Sequence, residues 1–383
     1  MKKVLIATCC IALLSGSLSV SAQTLAGKSW SADNGNGTFT NPLFYDEFSD
    51  PDIIRVGEDY YLAGTTMHSV PGLVVLHSKD LVNWEFSSYC FDRLDDSDDF
   101  NLRNGKEAYG QGIWAPAIRY HNGKFYIFSN INGHGLQVYI SDSAKGPWTH
   151  HKVNGDIYDL SVLFDEDGKI YAVHKYGNVT VTELKPDLSG PVEGSSKVVI
   201  PEGNAMGEGH HIYKINGMYY ILSADYSPMG RMQCARSKSI WGPYETCVIS
   251  ERESFGYSAA WTVNNVGLGR PVPEDGFKFK TNKPSDETLI CSTIHQGGIV
   301  QAPDGKWWGV SMQDFNAVGR TVCLSPITWV DGWPYFGLEK NLGRSPRTWF
   351  KPNNVVKTPV ATYDRCDDFS GKTFKPVWQW NHN

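Results

Sequence analysis

Several features that would assign the chain to a common protein class are missing from its sequence. No Cys-X-X-Cys pair and no His-Glu-X-X-His motif occurs, so the usual spacings of a zinc site are absent. No basic run occurs and the formal net charge is −6, which argues against nucleic acid or an anionic membrane surface as a partner. No apolar run is long enough to cross about 30 Å of bilayer hydrocarbon. Long helical periodicity is missing too, which disfavours a helical protein.

The N-terminus has the layout of an export signal. Two lysines precede an apolar run from Val4 to Leu14, and small residues lie just before Gln23. We therefore predict a signal peptide over 1–22 and export to the periplasm or the extracellular space. A membrane anchor is the alternative, but the apolar run is short for one. Lipid attachment at Cys9 or Cys10 is a weaker alternative, because the preceding residues match a lipid-attachment site poorly.

Six cysteines remain after the predicted cleavage, and they are scattered. Export would permit disulfides, but the spacing shows no paired pattern. We expect most of them to be small buried thiols and predict no particular bridge. They are Cys90, Cys234, Cys247, Cys291, Cys323 and Cys366.

Short alternating runs, separated by turn residues, predict an all-β chain. Five hairpins share one design: a strand, a tight turn and an aromatic-rich strand, as in "RYHNGKFYIFSN" and "IYKINGMYYILS". Five such units over 23–351 predict a five-bladed β-propeller, because each unit is too small to bury its own face. A two-sheet sandwich with accidental hairpin similarity is the alternative. The five turn glycines are Gly57, Gly123, Gly168, Gly217 and Gly305.

Counting back from each turn glycine compares equivalent positions in the five units. About seven to ten residues back, the units carry acids in three cases and an aromatic or histidine in the other two. Innermost propeller strands lie side by side around the axis, so these positions should converge at one mouth of the central channel. Placing like charges close together costs free energy, and such clusters are found more often at functional sites than elsewhere in a fold. In unit order the residues are Asp50, Trp114, Asp159, Glu208 and His295.

A pair of carboxyl groups across a sugar acetal is the usual equipment for glycoside hydrolysis. One group stays protonated to donate to the leaving oxygen, and the other stays ionised to activate water. Carboxyl groups on separate blades should stand far enough apart to admit that water, which predicts inversion at the anomeric carbon. With 13 Trp and 19 Tyr, the chain is also rich in flat side chains that suit sugar rings, although core packing is their commoner use.

The motifs resemble glycoside hydrolase family 43, whose members are five-bladed propellers that release arabinose or xylose from plant polysaccharides. The similarity covers about Asn41 to Phe336 and includes "DPDIIRVGEDYYLAGTT", "GIWAPAIRY", "YDLSVLFDEDGKIY", "GEGHHIYKINGMYYILSA" and "HQGGIVQAPDGKWW" in the order of the family. The resemblance implies that Asp50 is the general base and Glu208 the general acid. It implies that Asp159 tunes the pKa of the donor and orients the sugar.

Further positions carry over from the resemblance. Trp114 corresponds to an aromatic that lines the sugar pocket, with core filling as the alternative. Arg320 corresponds to an arginine that binds sugar hydroxyls and the nearby acids, with a surface ion pair as the alternative. His295 corresponds to a central histidine that holds a calcium or other ion through water, so a structural Ca²⁺ near the axis is implied. No cofactor is expected for the chemistry itself.

The sequence departs from the exo-xylosidases of the family at one loop. Met67 and His68 stand where those enzymes tend to carry bulkier aromatics, and the loop from Met67 to Pro71 should wall one side of the pocket. We therefore expect Met67 and His68 to contact substrate. Xylose and arabinose stay open, since the difference between them is a matter of contacts worth a few kcal/mol.

The C-terminal part, 352–383, resembles a linker followed by the first strand of a truncated β-sandwich. A lone strand packed on the propeller is the alternative. We predict an exported, inverting, exo-acting glycoside hydrolase that removes a terminal pentose from xylan or arabinoxylan oligosaccharides. An endo-arabinanase on the same fold and a non-catalytic carbohydrate-binding propeller are the alternatives.

Overall fold

The structure is a computed structural model of the chain. It describes residues 30–94, 97–131, 133–153, 155–204, 206–226, 229–250, 291–292, 295–314, 319–352 and 365–381. The predicted signal peptide lies outside the described residues. Within these ranges the ordered elements are strands, and no helical segment has the length and apolarity that crossing a bilayer requires.

The strands are numbered in chain order. Those of the N-terminal half are β1 (Thr38–Thr40), β2 (Ser49–Val56), β3 (Asp59–Thr65), β4 (Ser69–Val70), β5 (Gly72–Ser78), β6 (Trp84–Phe91), β7 (Ala117–His121), β8 (Lys124–Ile131), β9 (Gly135–Ser141), β10 (Thr149–Val153), β11 (Ser161–Phe164), β12 (Ile170–His174), β13 (Val179–Leu184) and β14 (Lys197–Ile200). Those of the C-terminal half are β15 (Glu208–Ile215), β16 (Met218–Tyr226), β17 (Met229–Ser237), β18 (Glu245–Val248), β19 (Cys291–Ser292), β20 (Ile299–Gln301), β21 (Trp307–Asp314), β22 (Arg320–Val330), β23 (Trp333–Leu338), β24 (Asn341–Leu342), β25 (Ser345–Pro346), β26 (Thr348–Phe350) and β27 (Trp380–Asn381).

Five antiparallel sheets form the five blades of a β-propeller, which confirms the predicted fold class. Their strand orders are β2-β3-β5-β6, β7-β8-β9-β10, β11-β12-β13-β14, β15-β16-β17-β18 and β20-β21-β22-β23-β24. The first strand of each sheet lies towards the axis. β2 contacts both β7 and β20, β7 contacts β11, and β11 contacts β15. The ring is therefore closed between the fifth blade and the first.

The turns of the five hairpins follow from their sequences. Asn122-Gly123 and Asn216-Gly217 are two-residue loops in which both residues have positive φ, the type I′ geometry that matches strand twist. The turn glycines at 57, 168 and 305 also have positive φ, between 64° and 82°. Glycine adopts this conformation without a steric penalty.

Apolar clusters fill the spaces between neighbouring blades. Ile53 and Leu62 of the first blade pack with Val310 and Leu324 of the fifth, and four similar clusters lie between the other neighbours. The segment before β2 completes the fifth blade: the side chain of Asn41 bonds to the N–H and the C=O of Leu324 at 2.8 Å each. Each blade thus buries the apolar faces that it could not bury alone.

The C-terminal segment packs on the first blade, because β27 pairs with β4. The interpretation of 352–383 as a linker and the start of a β-sandwich stays a prediction, as do the domain boundaries. Cys90, Cys234 and Cys323 are buried free thiols, and burial raises the pKa of each well above its usual value. The side chain of Cys291 lies outside the described residues.

Candidate active site

The three predicted acids lie where the innermost strands begin. Asp50 is in β2, Asp159 lies two residues before β11, and Glu208 is the first residue of β15. At each place the backbone leaves regular strand geometry: φ is 53° at Asp50, 48° at Asp159 and 62° at Gly209. A non-glycine residue in this region costs roughly 1–2 kcal/mol, and such strain collects at functional sites. Gly209 also has no room for a side chain, since a Cβ would lie 2.2 Å from Gln296.

The structure brings the three acids together in one buried site. Asp50 and Asp159 are each 5% exposed, and Glu208 is half-buried. Burial is the main reason why the pKa of each acid is raised, for Asp159 well above its usual value. The charge of Asp50 raises the pKa of the other two further, and Glu208 raises that of Asp159. Asp159 therefore keeps its proton to a higher pH than an exposed aspartate does.

Arg320 brings a positive charge into the site. Its Nη1 lies 3.3 Å from Asp50 Oδ1, and its charge opposes the effect of burial on the pKa of all three acids. The backbone N–H of Arg320 donates to Glu47 Oε2 at 2.9 Å, and Ser49 Oγ donates to Glu47 Oε1 at 2.7 Å. Glu47 thus holds β22 against β2, so the arginine and the aspartate are fixed relative to each other.

Tyr158 is a site residue that sequence reasoning missed. Its phenol donates to Glu208 Oε2 at 2.7 Å, and burial, followed by the charges of Asp159 and Glu208, raises the pKa of the phenol. Strand alternation would direct Tyr158 and Asp159 to opposite sides. The left-handed backbone at Asp159 breaks that alternation. The tyrosine beside the acid in "YDLS" is the only signal that the sequence offers for it.

His295 lies at the equivalent mouth position of the fifth blade. It is buried, and its backbone exchanges hydrogen bonds with Met312. Burial, then the charge of Arg320, lowers the pKa of the imidazole to about 3, so the ring is neutral at neutral pH.

A calcium ion prefers 6–8 oxygen ligands at about 2.3–2.6 Å. Within the described ranges, no group of three His, Cys, Asp or Glu side chains is arranged to hold a metal ion. These residues therefore do not form a direct calcium-binding set around His295. The ion held through water stays a prediction.

Trp114 starts the second blade at the same mouth. The residue is half-buried. Its backbone N–H donates to Asn130 O at 3.1 Å, and its backbone carbonyl accepts from Ser129 Oγ at 2.7 Å. These hydrogen bonds fix the backbone position of Trp114. The contact between Trp114 and substrate stays a prediction.

The loop that carries Met67 and His68 lies beside this strand. Met67 has φ 56°, and its carbonyl accepts from the N–H of Ile113, the neighbour of Trp114, at 3.4 Å. His68 Nδ1 accepts from Gly110 N–H at 3.0 Å, and its ring lies 4.4 Å from that of Tyr109. Burial lowers the pKa of His68, although the charge of Glu47 opposes this. The loop thus lies on the same side of the site as Glu47.

A buried ionic network lies next to the three acids, further along the innermost strands. It was not predicted from the sequence. Asp52, two residues after Asp50, is fully buried and accepts from the Ile118 N–H at 2.9 Å. It also binds the guanidinium of Arg119 and lies 3.0 Å from His211 Nδ1. Although burial acts to raise it, the charges of Arg119 and His211 lower the pKa of Asp52 to about 2.

The same network reaches the remaining blades. Arg119 donates to Ser161 Oγ of the third blade, which also accepts from the Ile212 N–H of the fourth blade at 3.0 Å. Tyr213 of the fourth blade accepts from the Ile299 N–H of the fifth at 2.9 Å. All five innermost strands are therefore joined by polar contacts just below the acids.

The sequence matches the family described as "Glycosyl hydrolases family 43" over residues 39–253. It is 32% identical to a "Putative beta-xylosidase" of Xylanibacter ruminicola, over 93% of this chain and 61% of that protein. It is 33% identical to "Non-reducing end alpha-L-arabinofuranosidase BoGH43B" of Bacteroides ovatus, over 90% of this chain and 61% of that protein. The chain thus spans about three fifths of the length of these curated relatives.

The fold is also similar to that of solved structures. One is a GH43 glycoside hydrolase whose active site was engineered to give both endo-xylanase and exo-arabinofuranosidase activity. The two share a TM-score of 0.73 and 28% identity, over 90% of this chain and 63% of the other.

Proposed function

The chain belongs to glycosyl hydrolase family 43, and from that premise we propose that it is an inverting, exo-acting hydrolase that releases a terminal pentose from hemicellulose chains. The observation that carries the proposal is the buried trio of Asp50, Asp159 and Glu208, which meets at one mouth of the propeller. The names of the two curated relatives, a xylosidase and an arabinofuranosidase, support a pentose as the released sugar.

Asp50 acts as the general base in this proposal. Its carboxylate must be ionised to take a proton from the attacking water. Burial raises its pKa, while Arg320, 3.3 Å away, favours the ionised form. A guanidinium presents five N–H donors in a planar fork, which suits contacts with sugar hydroxyls.

Glu208 acts as the general acid. Burial and the nearby charge of Asp50 raise its pKa, so the carboxyl group holds a proton to higher pH than usual. It donates that proton to the glycosidic oxygen as the bond to the anomeric carbon breaks. The charges of Glu208 and Asp50 raise the pKa of Asp159, and its carboxyl group accepts the N–H of Gly209. The role proposed for Asp159 is to orient the sugar and to tune the pKa of the donor, as the family resemblance implies.

Water attacks the face of the sugar opposite the leaving group, so one displacement gives the inverted anomer. Family membership implies that this hydrolysis needs no cofactor. The ion predicted at His295 would support the site rather than react. The predicted signal over 1–22 accords with substrates met outside the cytoplasm, as polysaccharide fragments are.

The decisive test is the identity of the released sugar. The protein is incubated with an aryl β-D-xyloside, an aryl α-L-arabinofuranoside and arabinoxylan oligosaccharides, and the products are separated from the first minute onwards. We expect a free pentose from the start, without intermediate oligosaccharides. NMR recorded during the first turnovers should show the anomer opposite to that of the substrate.

Three results would contradict the proposal. Oligosaccharides as first products would indicate an endo-acting enzyme. The retained anomer would exclude the single displacement. Sugar binding without turnover by the unaltered protein would favour a carbohydrate-binding propeller.

A further inference from the structure

The last described segment, residues 365–381, forms a strap across the first blade. Its strand β27 pairs antiparallel with β4, so that Trp380 lies opposite Val70 and Asn381 opposite Ser69. β4 belongs to the loop that follows β3 and carries Met67 and His68. The strap thus adds a strand to the loop that is predicted to wall the substrate pocket.

One strap side chain binds both ends of this loop. Gln379 Nε2 donates to Thr66 Oγ1 at 2.8 Å and to the carbonyl of Pro71 at 2.7 Å. Thr66 Oγ1 lies within 3.4 Å of the Ser69 carbonyl, across the loop. A single amide group therefore closes the base of the loop from 66 to 71.

The strap is also fixed away from the loop. Tyr89 of the first blade donates to the carbonyl of Pro376, and Arg365 pairs with Asp46. Asp46 is the neighbour of Glu47, the residue that bonds the backbone of Arg320. The strap is held at both ends, so Gln379 is placed by contacts independent of the loop.

The tip of the same loop contacts the segment that leads into the second blade. The Met67 carbonyl accepts from Ile113 N–H, and His68 accepts from Gly110 N–H. These contacts fix the tip of the loop to the second blade, and Gln379 fixes its base to the strap. A cleft between strap and blade is lined by Glu47, Thr66 and Gln379, among others.

We propose that Gln379 is a positioning residue that holds the 66–71 loop in its substrate-binding position, so that the strap sets the affinity for the sugar. Gln379 itself does not touch the reacting atoms. The kinetic part of this inference rests on the proposed function, whereas the structural part, the immobilisation of the loop, does not.

The test compares Gln379→Ala with Gln301→Ala in the full chain. Gln301 is exposed, and within the described part of the chain its side chain bonds the carbonyl of Gly305 in its own hairpin turn at 3.0 Å, so it is a matched control. Amide hydrogen exchange of residues 66–72 is followed by mass spectrometry, and KM and kcat are measured on the better of the two aryl pentosides. Thermal unfolding is recorded for each variant.

We expect Gln379→Ala to speed exchange in the loop at least tenfold. KM should rise about three- to tenfold, with kcat within a factor of two and an unchanged unfolding temperature. Thr66→Val should give the same changes, and the double variant should add little to either. A variant with a lower unfolding temperature but unaltered loop exchange and KM would overturn the proposal, as would unaltered values throughout. If the unaltered protein hydrolyses no pentoside, the proposed function fails while the exchange experiment still decides the role of Gln379.

Discussion

The phenol oxygen of Tyr158 lies 2.7 Å from Oε2 of Glu208, and Tyr158 is the donor. A donor to a carboxylate stabilises its ionised form and so lowers its pKa. In Glu208 this contact opposes burial and the charge of Asp50, which both raise the pKa. The pKa of Glu208 therefore depends on opposing effects, and the hydrogen bond from Tyr158 is one of those that lower it.

Replacing Tyr158 with Phe should shift that balance. The pKa of Glu208 then rises, so the enzyme stays active to higher pH, because activity is lost as the general acid deprotonates. A hydrogen bond to a charged group is worth about 1.5–3 kcal/mol, which corresponds to an upward shift of the alkaline limb by about one to two pH units. The measurement is kcat/KM against pH. Tyr220→Phe, which removes a bond to the Gly332 carbonyl on another surface, should leave the profile unchanged.

Glu208→Gln removes the proton donor while keeping the shape of the side chain. We expect kcat on oligosaccharides to fall about 10²–10⁴-fold, the usual contribution of general acid catalysis. A dinitrophenyl pentoside needs little protonation of its leaving group and should lose far less. Glu193→Gln, at an exposed position of the third blade, is the control. Equal losses on both substrates, or full activity of the variant on oligosaccharides, would exclude Glu208 as the donor.

Arg320→Met should move the other limb of the pH profile. Arg320 lowers the pKa of Asp50, so its loss raises that pKa. The base must be ionised, so activity on the acidic side is lost at a higher pH than in the unaltered enzyme. Loss of the contacts that Arg320 is predicted to make with substrate should also reduce kcat/KM by about 10²-fold. Arg236→Met, which breaks a pair with Glu245 on the fourth blade, should do neither.

Asp159→Asn should make the protein more stable and less active. The pKa of Asp159 is raised in the folded state, so folding binds protons at this position. Its contribution to stability is complete below the pKa of the unfolded chain, about 3.9, and is lost as pH rises through the folded value. The variant does not lose this contribution, so its advantage in free energy of unfolding should grow as the pH rises from 4 to 8. Denaturant unfolding at both pH values measures it, with the exposed Asp156→Asn as the reference. An advantage that does not depend on pH would contradict this account.

The parts of the fold that depend on local sequence could be predicted. Asn122-Gly123 and Asn216-Gly217 specify two-residue hairpin turns by conformational preference alone. Counting back from the turn glycines Gly168 and Gly217 also predicted that Asp159 and Glu208 would meet, because strands have a nearly constant rise per residue. Their roles in catalysis stay predictions.

The parts that depend on long-range contacts could not be predicted. Tyr158 contacts Glu208 next to Asp159, whose φ is positive. Aspartate adopts positive φ more often than most residues, but this preference is too weak to predict the conformation at one position. Asp50 and Asp52 are two residues apart, so a regular strand would direct both side chains to the same face. The sequence "SDPD" therefore does not show which of the two binds Arg119 in the buried network. The contact of Gln379 with Thr66 joins positions 313 residues apart, and nothing in either segment encodes the other.

The Asp52 network should be the most sensitive point of the fold. The aspartate has no exposed surface and binds Arg119 and His211 on two other blades. Removing one partner of a buried pair leaves a charge without compensation, at a cost of about 3–5 kcal/mol. We therefore expect Asp52→Ala to lower the free energy of unfolding by that amount at pH 7. Asp142→Ala breaks the exposed pair with Lys124 and should cost less than about 1 kcal/mol.

The pH dependence separates this effect from simple loss of packing. The pKa of Asp52 is about 2 when folded and about 3.9 when unfolded, so the stability it contributes is present above pH 4 and lost as pH falls towards 2. Asp52→Asn keeps the volume of the side chain, and its deficit relative to the unaltered protein should shrink by about 2–3 kcal/mol over that interval. Urea unfolding curves between pH 7 and the lowest pH at which the chain still folds measure the trend. A deficit that stays constant with pH would mean that Asp52 acts through shape and hydrogen bonds, and that its charge does not join the blades.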